Sequence, residues 1–384
     1  VASTINPTIH VHGHGEHDTA MTKYSKSMPY AASDFTATYL NAPVLYSEDK
    51  KHKRSIVLIG GCAAKNGNEW MDDEFGGGYY CTEFSKRAVA FFPENGEFKD
   101  LPELPGFRSR HSAVTIGKKI FVIGGRDEQD NVLTDVLVFD SEVNTWFEFM
   151  TLDDKYASSD HASVVHEGEI YVFGGYEAGY GTKSTAFKIN IEMKEITDLE
   201  PMEHTRGDIA AVTYDYGGVE GAFIIGGFSG ENNWCEPFPT VQLYNYDKKS
   251  WTTSHSLKSE RGDKAAVVID KTILAVGGED KHEDYCSDTN VLDENDYSVA
   301  VDDVEALDPR KNDGWAFKSK LPEIRFRASA ALDEKSNTVY FFGGQKSHDS
   351  TCNCYKTASD IFVYEGHQGL GGGAVAGIAI GSIV

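Results

Sequence analysis

Ser112-Ala-Val-Thr-Ile-Gly-Lys-Lys-Ile-Phe-Val-Ile-Gly-Gly125 decides the fold. Its two apolar, β-branched halves flank Gly117-Lys118-Lys119 and read as a strand, a tight turn and a second strand. A glycine doublet closes the second half, a place where backbones crowd and no side chain fits. The same phrase recurs along the chain. Doublets stand at Gly60-Gly61, Gly124-Gly125, Gly174-Gly175, Gly226-Gly227, Gly277-Gly278 and Gly343-Gly344. Apolar segments starting at Ser112, Ala162, Ala210, Ala265 and Ala328 precede the last five. A self-similar period of about fifty residues marks a repeat architecture.

Each doublet is followed by a polar loop and then by paired large apolar residues: Phe91 and Phe98, Phe139 and Trp146, Ile189 and Ile196, Tyr244 and Trp251. Each repeat therefore reads as a four-stranded meander, with strands A to D in chain order. The doublets, the aromatic spacing and the Arg, His and Asp residues that begin strand A together resemble the kelch repeat family over residues 28–368. The resemblance implies an all-β, six-bladed propeller with four antiparallel strands per blade and strand A lining a central channel. The first blade matches least well, with Ser33–Tyr39 as its strand A.

Radial repetition protects strand edges only when the ring closes. The sixth repeat supplies strands A (Arg327–Leu332), B (Val339–Phe342) and C (Asp360–Tyr364), but no fourth strand follows. Thr8-Ile-His-Val-His12 alternates apolar and polar residues. The expectation is that residues 8–13, within an N-terminal segment 1–27, form the outer strand of the last blade. Residues 369–384 form a separate tail.

The 384 residues carry a net charge of −24, which disfavours nucleic acid as a partner and favours cationic partners or divalent cations. No nucleophile elbow, His-Glu-x-x-His motif or clear carboxylate pair is present. The reading is a non-catalytic recognition or scaffold domain whose partner is another protein, a second copy or a glycan. The alternatives are a sugar-processing or oxidase-type propeller, as some kelch-like propellers are, and an intracellular kelch adaptor.

The cysteines Cys62, Cys81, Cys235, Cys286, Cys352 and Cys354 all fall in segments following a doublet, read as loops between strands B and C. An even count sorted onto one face suggests disulfides and an oxidising compartment. Cys235 and Cys286 lie on neighbouring blades. Cys62 and Cys81 can pair with Cys352 and Cys354 across the ring closure, or with each other. The chain opens on Val1, as after leader removal, and Leu370–Val384 is uncharged and apolar. Gly369, Gly373, Gly377 and Gly381 would form one smooth helical stripe. The expectation is a secreted or single-pass membrane protein with its propeller outside the cytosol.

Aligning the repeats brings Asp34, Arg110, Asp160, Asp208, Asp263 and Arg327 into register at the start of strand A. Arg108, Arg206, Arg261 and Arg325 stand two residues earlier. Both sets should ring the channel mouth and could receive a sugar, a carboxylate or a basic side chain. Register also explains Arg206-Gly-Asp208 and Arg261-Gly-Asp263 without integrin binding. Trp70, Asp72, Asp73, Tyr79 and Tyr80, with Trp234, offer aromatic and acidic loop contacts suited to protein. His10, His12 and His14 alternate onto one strand face and could hold zinc or copper. The acidic loop after Gly278 has the hard oxygen donors that suit calcium, but not an EF-hand spacing.

Overall fold

The computed structural model describes residues 20–44, 53–63, 69–72, 79–81, 83–230, 237–280, 299–349 and 354–367. The described elements are all strands. Six four-stranded antiparallel sheets stand in chain order around an axis. Blade 1 is Thr36–Leu40, Ser55–Ile59, Ala88–Phe92 and Glu97–Asp100; blade 2 is Ser112–Ile116, Lys119–Ile123, Asp135–Asp140 and Thr145–Thr151. Blades 3, 4 and 5 repeat this order from Ala162–His166, Ala210–Tyr216 and Ala265–Ile269. Strand A faces the axis and alternates in burial, as Ser112–Ile116 does. Strand B is buried on both faces, as Ser55–Ile59 is, which is why it reads as an unbroken apolar run.

Blade 6 joins Ser329–Asp333, Thr338–Phe342 and Ile361–Glu365 to an outer strand from the N-terminus. That strand is Thr22–Lys23, paired with Val363 and Phe362, and not residues 8–13, which lie outside the described residues. Its flanks explain the choice. Met21 is buried in the core between blades 5 and 6. Tyr24 packs edge-on against Phe91 and Tyr340, with ring centroids 5.9 and 5.7 Å away. The N-terminus therefore closes the ring by inserting apolar anchors on either side of a two-residue pairing.

Each junction between successive blades has its own apolar cluster. Leu40, Val57, Val122 and Phe139 fill the first, and Phe35, Leu58, Phe91 and Phe342 fill the junction of blade 6 with blade 1. Tryptophans at the fourth strand of blades 2, 4 and 5 tie these blades to the one before: the Nε1–H groups of Trp146, Trp251 and Trp315 donate to Pro102 O, Glu200 O and His255 O. Trp315, fully buried, leads directly into the fourth strand of blade 5, Ala316–Lys320; a longer turn shifts it out of the spacing seen in the other repeats.

The doublets are the joints. The N–H of the second glycine donates to the next blade: Gly125 to Ser158 O, Gly175 to Arg206 O, and Gly344 to Ala32 O across the closure. A Cβ on Gly174 would stand 2.5 Å from the Arg206 carbonyl oxygen, at a φ of +63°, so only glycine fits.

Candidate functional site

The residue beginning each strand A adopts a left-handed backbone. The φ values are 54° at Asp34, 55° at Arg110, 53° at Asp160 and Asp208, 48° at Asp263 and 51° at Arg327. This conformation strains side chains other than glycine, least so Asp. A closed circuit of backbone hydrogen bonds holds it. Arg110 N donates to Asp34 O, Asp160 N to Arg110 O, Asp208 N to Asp160 O, Asp263 N to Asp208 O, Arg327 N to Asp263 O, and Asp34 N to Arg327 O, all between 2.8 and 3.1 Å. The six side chains line an axial cavity of about 130 Å³. The predicted ring thus exists, and its register is enforced by the backbone.

Charge around the ring is uneven. Arg327 Nε lies 2.9 Å from Asp263 Oδ2 and 3.9 Å from Asp34, while Arg110 stands 3.8 Å from both Asp34 and Asp160. Asp208 receives the Tyr176 hydroxyl at 2.6 Å. Burial raises Asp160 to about 6 and pushes Asp208 well above the ordinary carboxylate range, with Asp263 adding its repulsion to Asp208. Burial would raise Asp263 too, but the Arg327 ion pair overrides it and holds that carboxyl low. Blades 3 and 4 therefore carry the carboxylates least compensated by the ring.

The residue after each ring position also lines the cavity, and sequence reasoning noted its histidines at strand entry without assigning them to the site. Three of these positions are polar. His111 Nε2 hydrogen-bonds with Thr36 Oγ1 at 2.9 Å, and His161 Nε2 with Ser112 Oγ at 2.8 Å. Lys264 Nζ donates to Asp208 O at 3.3 Å. Each reaches back to the preceding blade. Burial keeps His161 neutral down to about 3 and lowers Lys264 to about 7. A polar residue at the first position of an otherwise apolar strand was the available signal.

Arg108, Arg206, Arg261 and Arg325 do not line the channel. They are buried clamps inside their own blades. Arg108 Nη1 donates to Gly124 O at 2.5 Å, and Arg261 Nη1 to Gly277 O and Asp303 O. Arg261 Nη2 meets Glu305 at 2.5 Å, both side chains being fully buried, and Arg325 pairs with Asp360 at 2.9 Å. The carbonyls exposed at the doublet need donors, and the guanidinium fork supplies them. Both Arg-Gly-Asp tripeptides are structural. Their arginines are buried, and their glycines leave room for the rings of Tyr176 and Phe228 from the preceding blade.

Over this end of the channel the loops between strands B and C build extra sheet. Gln345–Asp349 and Cys354–Thr357 of blade 6 continue into Glu69–Asp72 and Tyr79–Tyr80 of blade 1 as one four-stranded sheet. Trp70, Asp72, Tyr79 and Tyr80 are therefore strand residues. Cys62 and Cys81 form a disulfide within blade 1, so the pairing of these two with Cys352 and Cys354 is replaced by the local bridge. Backbone pairing sets Cys354 opposite Met71. Cys62 and Cys81 pack in one apolar cluster with Ala300, Phe326 and Tyr355, the last from the sheet strand Cys354–Thr357. Asp73, Trp234, Cys235, Cys286, Cys352, most of the acidic loop, His10, His12, His14 and the tail lie outside the described residues. Among the described residues no group of three or more His, Cys, Asp or Glu is placed to hold a metal ion, and no helix is long and apolar enough to cross a membrane.

At the opposite end, the hairpins between strands A and B frame a wider cavity of about 650 Å³, with Tyr39, His166, Glu220 and Glu334 in its wall. His166 stacks on Tyr246 with ring centroids 3.8 Å apart.

Six four-stranded blades, glycine joints and an axial ring define a kelch-repeat β-propeller. The chain belongs to the Attractin/LZTR1 β-propeller family, which matches residues 75–302, more than half of its length. It is similar to Kelch-like protein 23 of Homo sapiens, 24% identical over 270 residues, covering 70% of this chain and 42% of that protein. Beta-scruin of Limulus polyphemus is 21% identical over 232 residues, covering 58% of this chain and 24% of that protein. The chain thus spans less than half the length of these curated relatives. Among solved structures, that of YjhT superposes with a TM-score of 0.64 at 14% identity, covering 88% of this chain and 96% of that one; the likeness is of fold alone.

Proposed function

We propose that this propeller is a non-catalytic protein-recognition domain that binds its partner through the face carrying the loops between strands B and C, and that it works in an oxidising compartment. One observation carries the reading. The loops of blades 6 and 1 form a second sheet outside the blades, and one of its strands packs Tyr355 into an apolar cluster with the Cys62–Cys81 disulfide. Scaffolds place binding residues on loops positioned by a rigid frame. Aromatic and acidic residues concentrated there suit a protein contact. The disulfide supports the compartment, since such bonds persist where thiols are not kept reduced.

The test is site-specific photo-crosslinking. A photoreactive residue at Tyr79 is expected to capture a discrete partner from the native source, and one at Lys118 on the opposite hairpins is not. Trp70→Ala and Tyr79→Ala are then expected to weaken binding of that partner about tenfold or more. Identical capture from both positions, or binding indifferent to both substitutions, would rule the face out.

A further inference from the structure

We propose that the axial ring is a binding site for one primary ammonium group. This goes beyond the reading of the loop face and holds whether or not that face has a partner. The cavity walls contain four carboxylates, Asp34, Asp160, Asp208 and Asp263, against three cationic side chains, Arg110, Arg327 and Lys264. With all four ionised and Lys264 protonated, one negative charge would be left over, which one bound monovalent cation would balance. The excess sits on blades 3 and 4. The Asp160 side chain is 6% exposed, and its Oδ2 accepts no hydrogen bond, its nearest cation being Arg110 Nη1 at 3.8 Å. A buried carboxylate oxygen without a donor is costly unless something supplies one. Asp208 receives the Tyr176 hydroxyl at 2.6 Å and, among the described residues, has no ion pair within 4.0 Å.

The shape selects the cation. A volume of about 130 Å³ is the room of about four water molecules. It admits an ammonium head and the first methylenes of its stem, not a length of peptide. An ammonium brings three donors that point apart, matching acceptors on two neighbouring blades. Phe35, Ile209 and Ala328 supply apolar wall for the stem. A divalent ion fits poorly, since it demands six or more oxygens and the oxygens of Asp263 and Asp34 already face guanidinium groups. The ammonium could come from a lysine of a bound protein or from a free amine.

Titration calorimetry on the full chain tests the site. With n-butylammonium chloride a saturable heat is expected; with tetramethylammonium chloride at equal ionic strength, the same charge without N–H donors, none is expected. Asp160→Asn should weaken n-butylammonium about tenfold, the worth of one charge-assisted hydrogen bond, while Glu128→Gln on the exposed surface should not. Asp208→Asn serves as a second variant, and the comparison of the two salts needs no variant at all. Equal heats from both salts, or unchanged affinity in a folded Asp160→Asn protein, overturn the proposal. Saturation by Nα-acetyl-lysine methylamide as well would identify a protein lysine as the source; saturation by n-butylammonium alone would identify a free amine, and both support the ammonium site. Photo-crosslinking at Tyr79 is independent of each of these results.

Discussion

Gly174, Arg261 and Lys264 show how far single residues are committed. At Gly174 the backbone is left-handed and a carbonyl oxygen of the next blade occupies the place of a side chain. Gly174→Ala should therefore cost at least 1–2 kcal/mol, from backbone strain and displaced packing, read as a lower urea midpoint. Arg261→Ala takes the buried cation from Glu305, which is fully buried and keeps the Lys258 and Ser259 amides, and should cost about 3 kcal/mol. Lys264 titrates near 7 in the folded chain, against an ordinary value of 10.5. Between those values the unfolded chain binds more protons, so the contribution of Lys264 to stability rises with pH from about 7 to 10.5. The stability difference between the native protein and Lys264→Met should shift toward the native protein between pH 7 and pH 9.5, measured by urea unfolding. The register of Asp34 through Arg327 was legible in sequence because the repeat fixes position. The burial of Arg108, Arg206, Arg261 and Arg325 was not, because register says nothing about which way a side chain turns. Two residues of offset exchanged a channel wall for a blade interior.

Among the elements, the strands of blades 2 to 5 follow the sequence pattern closely, since buried B strands and alternating A strands leave a plain apolar signature. Closure was legible in kind but not in place. The alternation at residues 8–13 was conspicuous, whereas Thr22–Lys23 carries no strand signal of its own and is held by Met21 and Tyr24 beside it. A chain beginning at Ser25 is expected to lose several degrees of Tm, and one beginning at Asp18 to keep the native value by calorimetry. The disulfide makes a second case. Blade adjacency favoured a cross-blade bridge, but Cys62 and Cys81 have Cα atoms 5.7 Å apart within one blade. Closing a loop of this size is worth about 3 kcal/mol in the chain-entropy view. The double variant Cys62→Ser with Cys81→Ser should loosen the loop sheet, seen as faster amide exchange at Tyr79–Tyr80 and Cys354–Thr357.

For the molecule as a whole, six similar apolar junctions make a ring without a dominant core, so its weakest place is set by how the ends are fastened. The circuit of backbone hydrogen bonds at the axis crosses from blade 6 to blade 1 at 3.1 Å, as it crosses elsewhere. The hub has no seam. Among the described residues the seam is at the rim, where two residues complete a sheet that every other blade makes from its own continuous chain. Opening should therefore begin outside and travel inward, leaving the hub amides of Asp34 and Arg327 among the slowest to exchange. New chain ends moved by circular permutation into another rim turn, with Val363 and Thr22 kept in register, would shift the first point of opening without changing the hub.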